Sequence, residues 1–103
     1  MLELNQDNFD ENIIQSEKIV IIDFWAPWCG PCKVMAPVFE GAASEMTSVL
    51  FAKVNVDENP AIAQKYNILS IPTFIVIKNG QVVEQFSGAM GKEELKAKIS
   101  KNT

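Results

Sequence analysis

"DFWAPWCGPCK", residues 23–33, carries both cysteines of a 103-residue chain, Cys29 and Cys32, just behind its two tryptophans. Two thiols side by side admit three readings: half of a metal site, a structural staple, or a pair that opens and closes as its chemistry. The staple is weak on energetics. In the chain-entropy model, closing so short a loop stabilises by only about 2 kcal/mol, against roughly 3 for a loop of about fifteen residues. A chain of 103 residues, 48 % hydrophobic and 21 % charged, buries enough surface to fold without covalent help. Metal fares no better. A structural zinc takes Cys or His on all of its tetrahedral positions, and this chain has two cysteines and no histidine.

The redox reading suits the local geometry. Cys29 follows an apolar run, and Pro31 has the fixed φ of a first helical turn, so a helix should begin around the pair. Cys29 would then face unpaired N–H groups at the positive end of the helix dipole, which favours its thiolate. Cys32 would lie about one turn further in. The pair is therefore expected to be unequal, an exposed nucleophile and a shielded partner. Without histidine, the helix end, the second thiol and Lys33 or Lys53 must supply the activation. Gly30 leaves room for a substrate backbone. The inferred chemistry is thiol–disulfide exchange.

The flanking segments supply the scaffold. "KIVIIDFWA" (18–26) and "VLFAKVNVD" (49–57) are β-branched apolar runs, which read as strands buried on both faces. Between them Met35, Ala36, Phe39, Ala43 and Met46 recur at helical spacing, with Pro37 expected to kink that helix. Upstream, residues 7–15 suggest a short helix capped by Asp7, with Phe9, Ile13 and Ile14 on one face. Asn59-Pro60 reads as a cap and first-turn proline for a helix over 58–66. "TFIVIK" (73–78) and "QVVEQFS" (81–87) flank Asn79-Gly80, a strong hairpin signal. "KEELKAKI" (92–99) closes the chain as a helix with Leu95 and Ile99 inward. The order β-α-β then α-β-β-α, with room for an extra strand and helix at the front, predicts one α/β domain over 1–103, a mixed sheet with helices on both faces.

Composition narrows the partners. A net charge of −4 with no basic stripe disfavours nucleic acid. No apolar run approaches the roughly 20 residues of a membrane span. "MLELNQDNFDEN" lacks the basic-then-apolar pattern of a secretory leader, so a reducing, cytoplasmic setting is expected, where paired cysteines are more often catalytic or metal-binding than structural.

At "WCGPCK" the sequence resembles the thioredoxin family, and the likeness covers nearly the whole chain. It is carried by "DFWAPWCGPCK", "AP" at 36–37, "KVNVDENP" at 53–60, "SIPTF" at 70–74, "KNG" at 78–80 and "SGA" at 87–89, in order. A bare C-x-x-C says little; these blocks at the family spacing say much. The resemblance implies the thioredoxin fold, a mixed sheet of four or five strands flanked by helices. It implies that Cys29 attacks and Cys32 resolves, with Gly30-Pro31 setting the reducing direction. Asp23 is similar to the family's buried carboxylate, which exchanges a proton with Cys32, and Lys53 to the lysine near that acid. Pro72 matches a cis-proline facing the cysteines, with Ile71 and Thr73 offering backbone to an extended substrate. Trp28, Gly88 and Ala89 match the rim of the docking groove.

The implied function is a disulfide reductase that needs no cofactor beyond its own dithiol. Its implied partners are a thioredoxin reductase and oxidised proteins, with the chain itself a monomer. The contrasting reading is a redox-independent binding subunit of a larger complex, which would keep its function without the thiols. Three positions depart from the family pattern. Asn67 stands where glycine is common, Leu69 where a polar or basic residue is frequent, and Ser87 where an aliphatic is expected. Asn tolerates a left-handed backbone; the other two lie near the docking surface and bear on partner preference.

Overall fold

The run after Lys18 forms β2 (Ile19–Trp25), whose residues Val20–Phe24 are all buried, as an inner strand requires. In the computed structural model, which describes residues 1–103, β2 lies at the centre of a five-stranded sheet. Strand β3 (Val49–Asn55) pairs with it in parallel from Ile19↔Val49 to Trp25↔Asn55. Strand β4 (Thr73–Lys78) pairs antiparallel on its other side, and β5 (Gln81–Ser87) follows through the Asn79-Gly80 turn. Both turn residues have positive φ, 53° and 78°, the backbone that a tight hairpin needs. A side chain at Gly80 would also press on the Ile14 carbonyl, 3.3 Å from its Cβ position. Two residues, Leu2–Glu3, form β1 and join β3 in parallel at the far edge, giving the order β1-β3-β2-β4-β5.

Helices cover both faces, as expected. On one face α1 (Gly30–Glu45) and α3 (Lys92–Ser100) bury Met35, Phe39, Ala42, Leu95 and Ile99 against Ile21, Phe51 and Phe74. Phe39 holds that layer together, with ring centroids 5.0 Å from Phe51 and 5.9 Å from Phe74. On the other face α2 (Pro60–Lys65) and a π-helical turn at Asp10–Ile14 pack Ile62, Phe9 and Ile13 over Ile22, Phe24 and Ile75. Helix α1 runs unbroken through Pro37, which is exposed. Its buried stripe is Cys32, Met35, Phe39 and Ala42, while Ala36, Ala43 and Met46 are only half-buried.

Three local expectations need correction. Asp7 does not cap a helix over 7–15. Asn5 organises that turn, its Oδ1 accepting from the N–H groups of Asp7 and Asn8 at 2.9 and 3.0 Å, and helix begins only at Asp10. Ile14 is 41 % exposed, because neighbouring residues on so short a turn cannot both face the core. Asn59 precedes α2 but makes no side-chain cap. It is buried beside the end of β3, and its Nδ2 donates to the Asn55 carbonyl at 3.1 Å instead.

Candidate active site

Cys29 is the N-cap of α1. Its backbone is extended (φ −86°, ψ 114°), and its Sγ accepts a hydrogen bond from the Cys32 N–H at 3.2 Å. A sulfur thus occupies the place where serine or aspartate usually satisfies a free helix donor. Pro31 occupies the first turn, where its missing N–H costs nothing. Cys29 and Cys32 are joined as a disulfide, with Cα atoms 5.2 Å apart, and no cysteine is free.

The expected difference in exposure is not found. Both cysteines are 4 % exposed, since the bonded pair packs as one unit on Ala26 and against Trp25, Val56 and Ile71. The two differ in their neighbours. Cys29 stands between Trp28, 69 % exposed, and Gly30, around which a substituent would meet open space. Cys32 is held inside the first helical turn. Only Cys29 Sγ approaches the Ile71 carbonyl, at 3.8 Å; as a disulfide sulfur it has no proton to donate there.

The Ile71–Pro72 peptide bond is cis. Pro72 and Thr73 are buried, and the Thr73 hydroxyl donates to the Ser70 carbonyl at 2.6 Å. Gly88, with φ 94°, donates its N–H to the Pro72 carbonyl at 2.9 Å, which ties the segment bearing exposed Ala89 to this loop. Next to the disulfide an apolar cleft is lined by Trp28, Val56, Ile68, Leu69 and Ile71. Leu69 is 95 % exposed, and Asn67 takes the left-handed backbone (φ 54°). Asp57 had no role in the sequence reading, yet its Oδ2 accepts from Trp28 Nε1 at 2.9 Å and holds the exposed indole. Twenty-nine residues separate the two, so no local pattern could have revealed the pair.

Asp23 lies on β2 between Lys53 of β3 and Phe74 of β4, on the face covered by α1. It is 1 % exposed, and neither carboxylate oxygen has a hydrogen-bond partner in the protein. Burial pushes its pKa up to about 7; Lys53 pulls it back and Glu3 adds to the rise. Lys53 is half-buried, with its ammonium 5.0 Å from the centre of the Trp25 ring. Glu3 is a second residue the sequence reading missed, because a two-residue strand leaves no periodicity to read. No group of three or more His, Cys, Asp or Glu side chains is arranged to hold a metal ion. No helix is long and apolar enough to cross a membrane.

This arrangement can store and release two electrons. Two sulfurs joined at a helix start, one turn apart, are the part that dithiol exchange requires. Comparison with known proteins agrees. The thioredoxin family model matches residues 1–101. The chain is 46 % identical to a thioredoxin of Chlorobaculum thiosulfatiphilum over 97 % of its own length and 94 % of the relative's. It is 47 % identical to a thioredoxin of Alicyclobacillus acidocaldarius over 94 % and 92 %. A chloroplastic M-type thioredoxin of Spinacia oleracea matches at 45 %, over 96 % of this chain and 55 % of the relative.

Proposed function

The chain belongs to the thioredoxin family and is a thiol–disulfide oxidoreductase, and on that premise we propose that it reduces protein disulfides with Cys29 as the attacking thiol. In the reduced protein the Cys29 thiolate attacks one sulfur of a substrate disulfide. A mixed disulfide forms, and the other substrate sulfur leaves as a thiolate. Cys32 then gives its proton to the Asp23 carboxylate and attacks Cys29 Sγ. The Cys29–Cys32 bond closes, and the second substrate sulfur leaves. Two electrons have moved to the substrate, whose two sulfurs take up protons.

The observation that carries this assignment is the hydrogen bond from the Cys32 N–H to Cys29 Sγ at the start of α1. A helix-end N–H stabilises negative charge on that sulfur, and Cys32 receives no such donor. The short reach along one turn gives Cys32 a high effective concentration against the mixed disulfide. Lys53 steadies the Asp23 carboxylate until it takes that proton. Gly30 and Pro31 keep the helix start open and set. Trp28, Ile71, Gly88 and Ala89 border the place where the substrate segment lies, and Pro72 and Thr73, whose side chains are buried, meet it through backbone. A thioredoxin reductase restores the dithiol, oxidised proteins are the substrates, and the protein works as a monomeric domain over 1–103 in the cytoplasm.

The test is turbidity of insulin reduced by dithiothreitol with and without the protein. Acceleration is expected, and its absence would overturn the reductase reading. On non-reducing gels Cys32→Ser should trap covalent substrate complexes and Cys29→Ser should trap few. Equal trapping would overturn the assignment of roles.

A further inference from the structure

Three charged residues stand in one row across three strands. Glu3 of β1 is in register with Lys53 of β3, and Lys53 is in register with Asp23 of β2. Side chains alternate across a strand, and Leu2 packs in the cluster of the opposite face with Ile22 and Ala52. Glu3 therefore shares the face of Lys53 and Asp23. The register is fixed at this point. The Leu4 N–H donates to the Lys53 carbonyl at 2.8 Å, and Asn8 Nδ2 donates to the Glu3 carbonyl at 3.1 Å. Strand β1 is only two residues long, and its pairing brings Glu3 beside Lys53.

Lys53 is in none of the close ion pairs of the molecule. Its ammonium lies over Trp25, and in the strand register Lys53 stands between buried Asp23 and exposed Glu3. Other elements bring no competing charge. β4 sets Phe74 opposite Asp23, and the charged residues of α1, Lys33, Glu40 and Glu45, are all exposed. Lys53 and Glu3 are the two charges that act on the buried carboxyl.

We propose that Glu3 is a positioning residue of the redox site, competing with Asp23 for the Lys53 ammonium and so setting how readily the buried acid gives up its proton. The inference deepens the mechanism above and rests on Asp23 as the proton carrier for its consequence in turnover. Neighbouring strands lie about 4.8 Å apart, so the backbones of Glu3 and Asp23 are roughly 10 Å apart with Lys53 on the strand between them. At that range the influence of an exposed charge depends on salt. It acts fully where the Debye length is about 30 Å, near 0.01 M, and is screened where it is about 3 Å, near 1 M.

The experiment follows the carboxyl carbon of Asp23 by NMR through a pH titration of the oxidised protein. At low salt Glu3→Gln should lower the Asp23 midpoint by about half a pH unit, and at about 1 M salt the difference should nearly vanish. Glu3→Asp, which keeps the charge, should retain most of the wild-type midpoint. In a Lys53→Gln background the effect of Glu3→Gln should shrink, because the shared cation is gone. An unchanged or raised midpoint at low salt overturns the proposal, as does a shift equal in both salts. The pH profile of insulin reduction is measured in parallel. A profile that stays put while the NMR midpoint moves would remove Asp23 as proton carrier and leave the Glu3 coupling standing.

Discussion

Asp23 is a carboxyl that the fold keeps away from water and supplies with no hydrogen bond, at a cost that depends on pH. Burial lifts its pKa to about 7, while in the unfolded chain an aspartate titrates near about 4. Between these values the native protein holds a proton that the unfolded chain has released, so stability falls as pH rises through this window. About three units correspond to an order-of-magnitude cost of 4 kcal/mol above pH ~7, and to none below pH ~4. Asp23→Asn should therefore raise the stability of the oxidised protein by about 1–3 kcal/mol at pH 8 and change little at pH 4, since a buried amide keeps part of the penalty. Urea unfolding at the two pH values checks this; a loss of stability at pH 8 would make Asp23 a structural partner. The same variant should slow insulin reduction near neutrality. The chain has no histidine, so a side-chain titration between pH 6 and 8 points to Asp23 or the reduced thiols. At this scale the sequence revealed what is local. The cysteines, Pro31 and Gly30 lie within four positions, and Asp23 heads the same block. The hold of Asp57 on Trp28 and the row from Glu3 to Asp23 join segments that only the folded sheet brings together. Equal burial of the cysteines was also out of reach, because it belongs to the bonded pair and not to either residue.

Helices α1 and α3 meet along a seam that is apolar below and ionic above. Phe39, Leu95 and Ile99 close it against the sheet. At the rim Glu45 of α1 pairs with Lys92 and, at 2.6 Å, with Lys96 of α3. The two lysines hold Glu45 down to about 2. A depressed carboxylate adds stability above its unfolded value, about 4.3, and that stability is lost as pH falls through the folded one. Glu45→Gln should thus lower the thermal midpoint slightly at pH 7, and the difference from wild type should shrink below pH ~4 and vanish near pH ~2. High salt should reduce it as well, the group being solvent-exposed. Thermal melts at pH 7, 4 and 2 test this, and a difference that persists at pH 2 would place the effect in packing. Elements with a long repeating pattern were legible in the sequence: the runs of β2 and β3, the stripe of α1 and the hairpin at Asn79-Gly80. The segment before β2 was not. Its polar residues Asn5, Asp7 and Asn8 can each bind backbone, and which one does so depends on where β1 anchors the chain. Asn59 was misread for a related reason: the end of β3 supplies a buried carbonyl that its amide prefers over capping.

The sheet divides the molecule into two apolar layers, one under α1 and α3 and one under α2 and the π-helical turn. Both layers draw on the same three strands. Ile21 of β2 faces the first layer and Ile22 the second, and Val76 and Ile75 of β4 divide in the same way. Neither layer can dissolve while the strands keep their places, and neither strand face is stable without its cover. The proposed redox site depends on this coupling, since β2 carries Asp23, the loop into β4 carries Pro72, and the start of α1 carries the cysteines. One cooperative transition is therefore expected. Ile99→Val thins the first layer and Ile13→Val the second, both at residues with no exposure. Each should cost about 0.5–1.5 kcal/mol. The sites lie on opposite faces of the sheet and in different clusters, so the double variant should lose the sum within about 0.5 kcal/mol. All variants should keep the wild-type denaturant slope and differ only in midpoint. Urea titrations read by tryptophan fluorescence and by far-UV circular dichroism decide the matter. Coincident curves in every variant fit a single unit. A second transition, or a slope that falls in one variant alone, would mean that the two layers unfold separately and that one face can open while the cysteines stay in place.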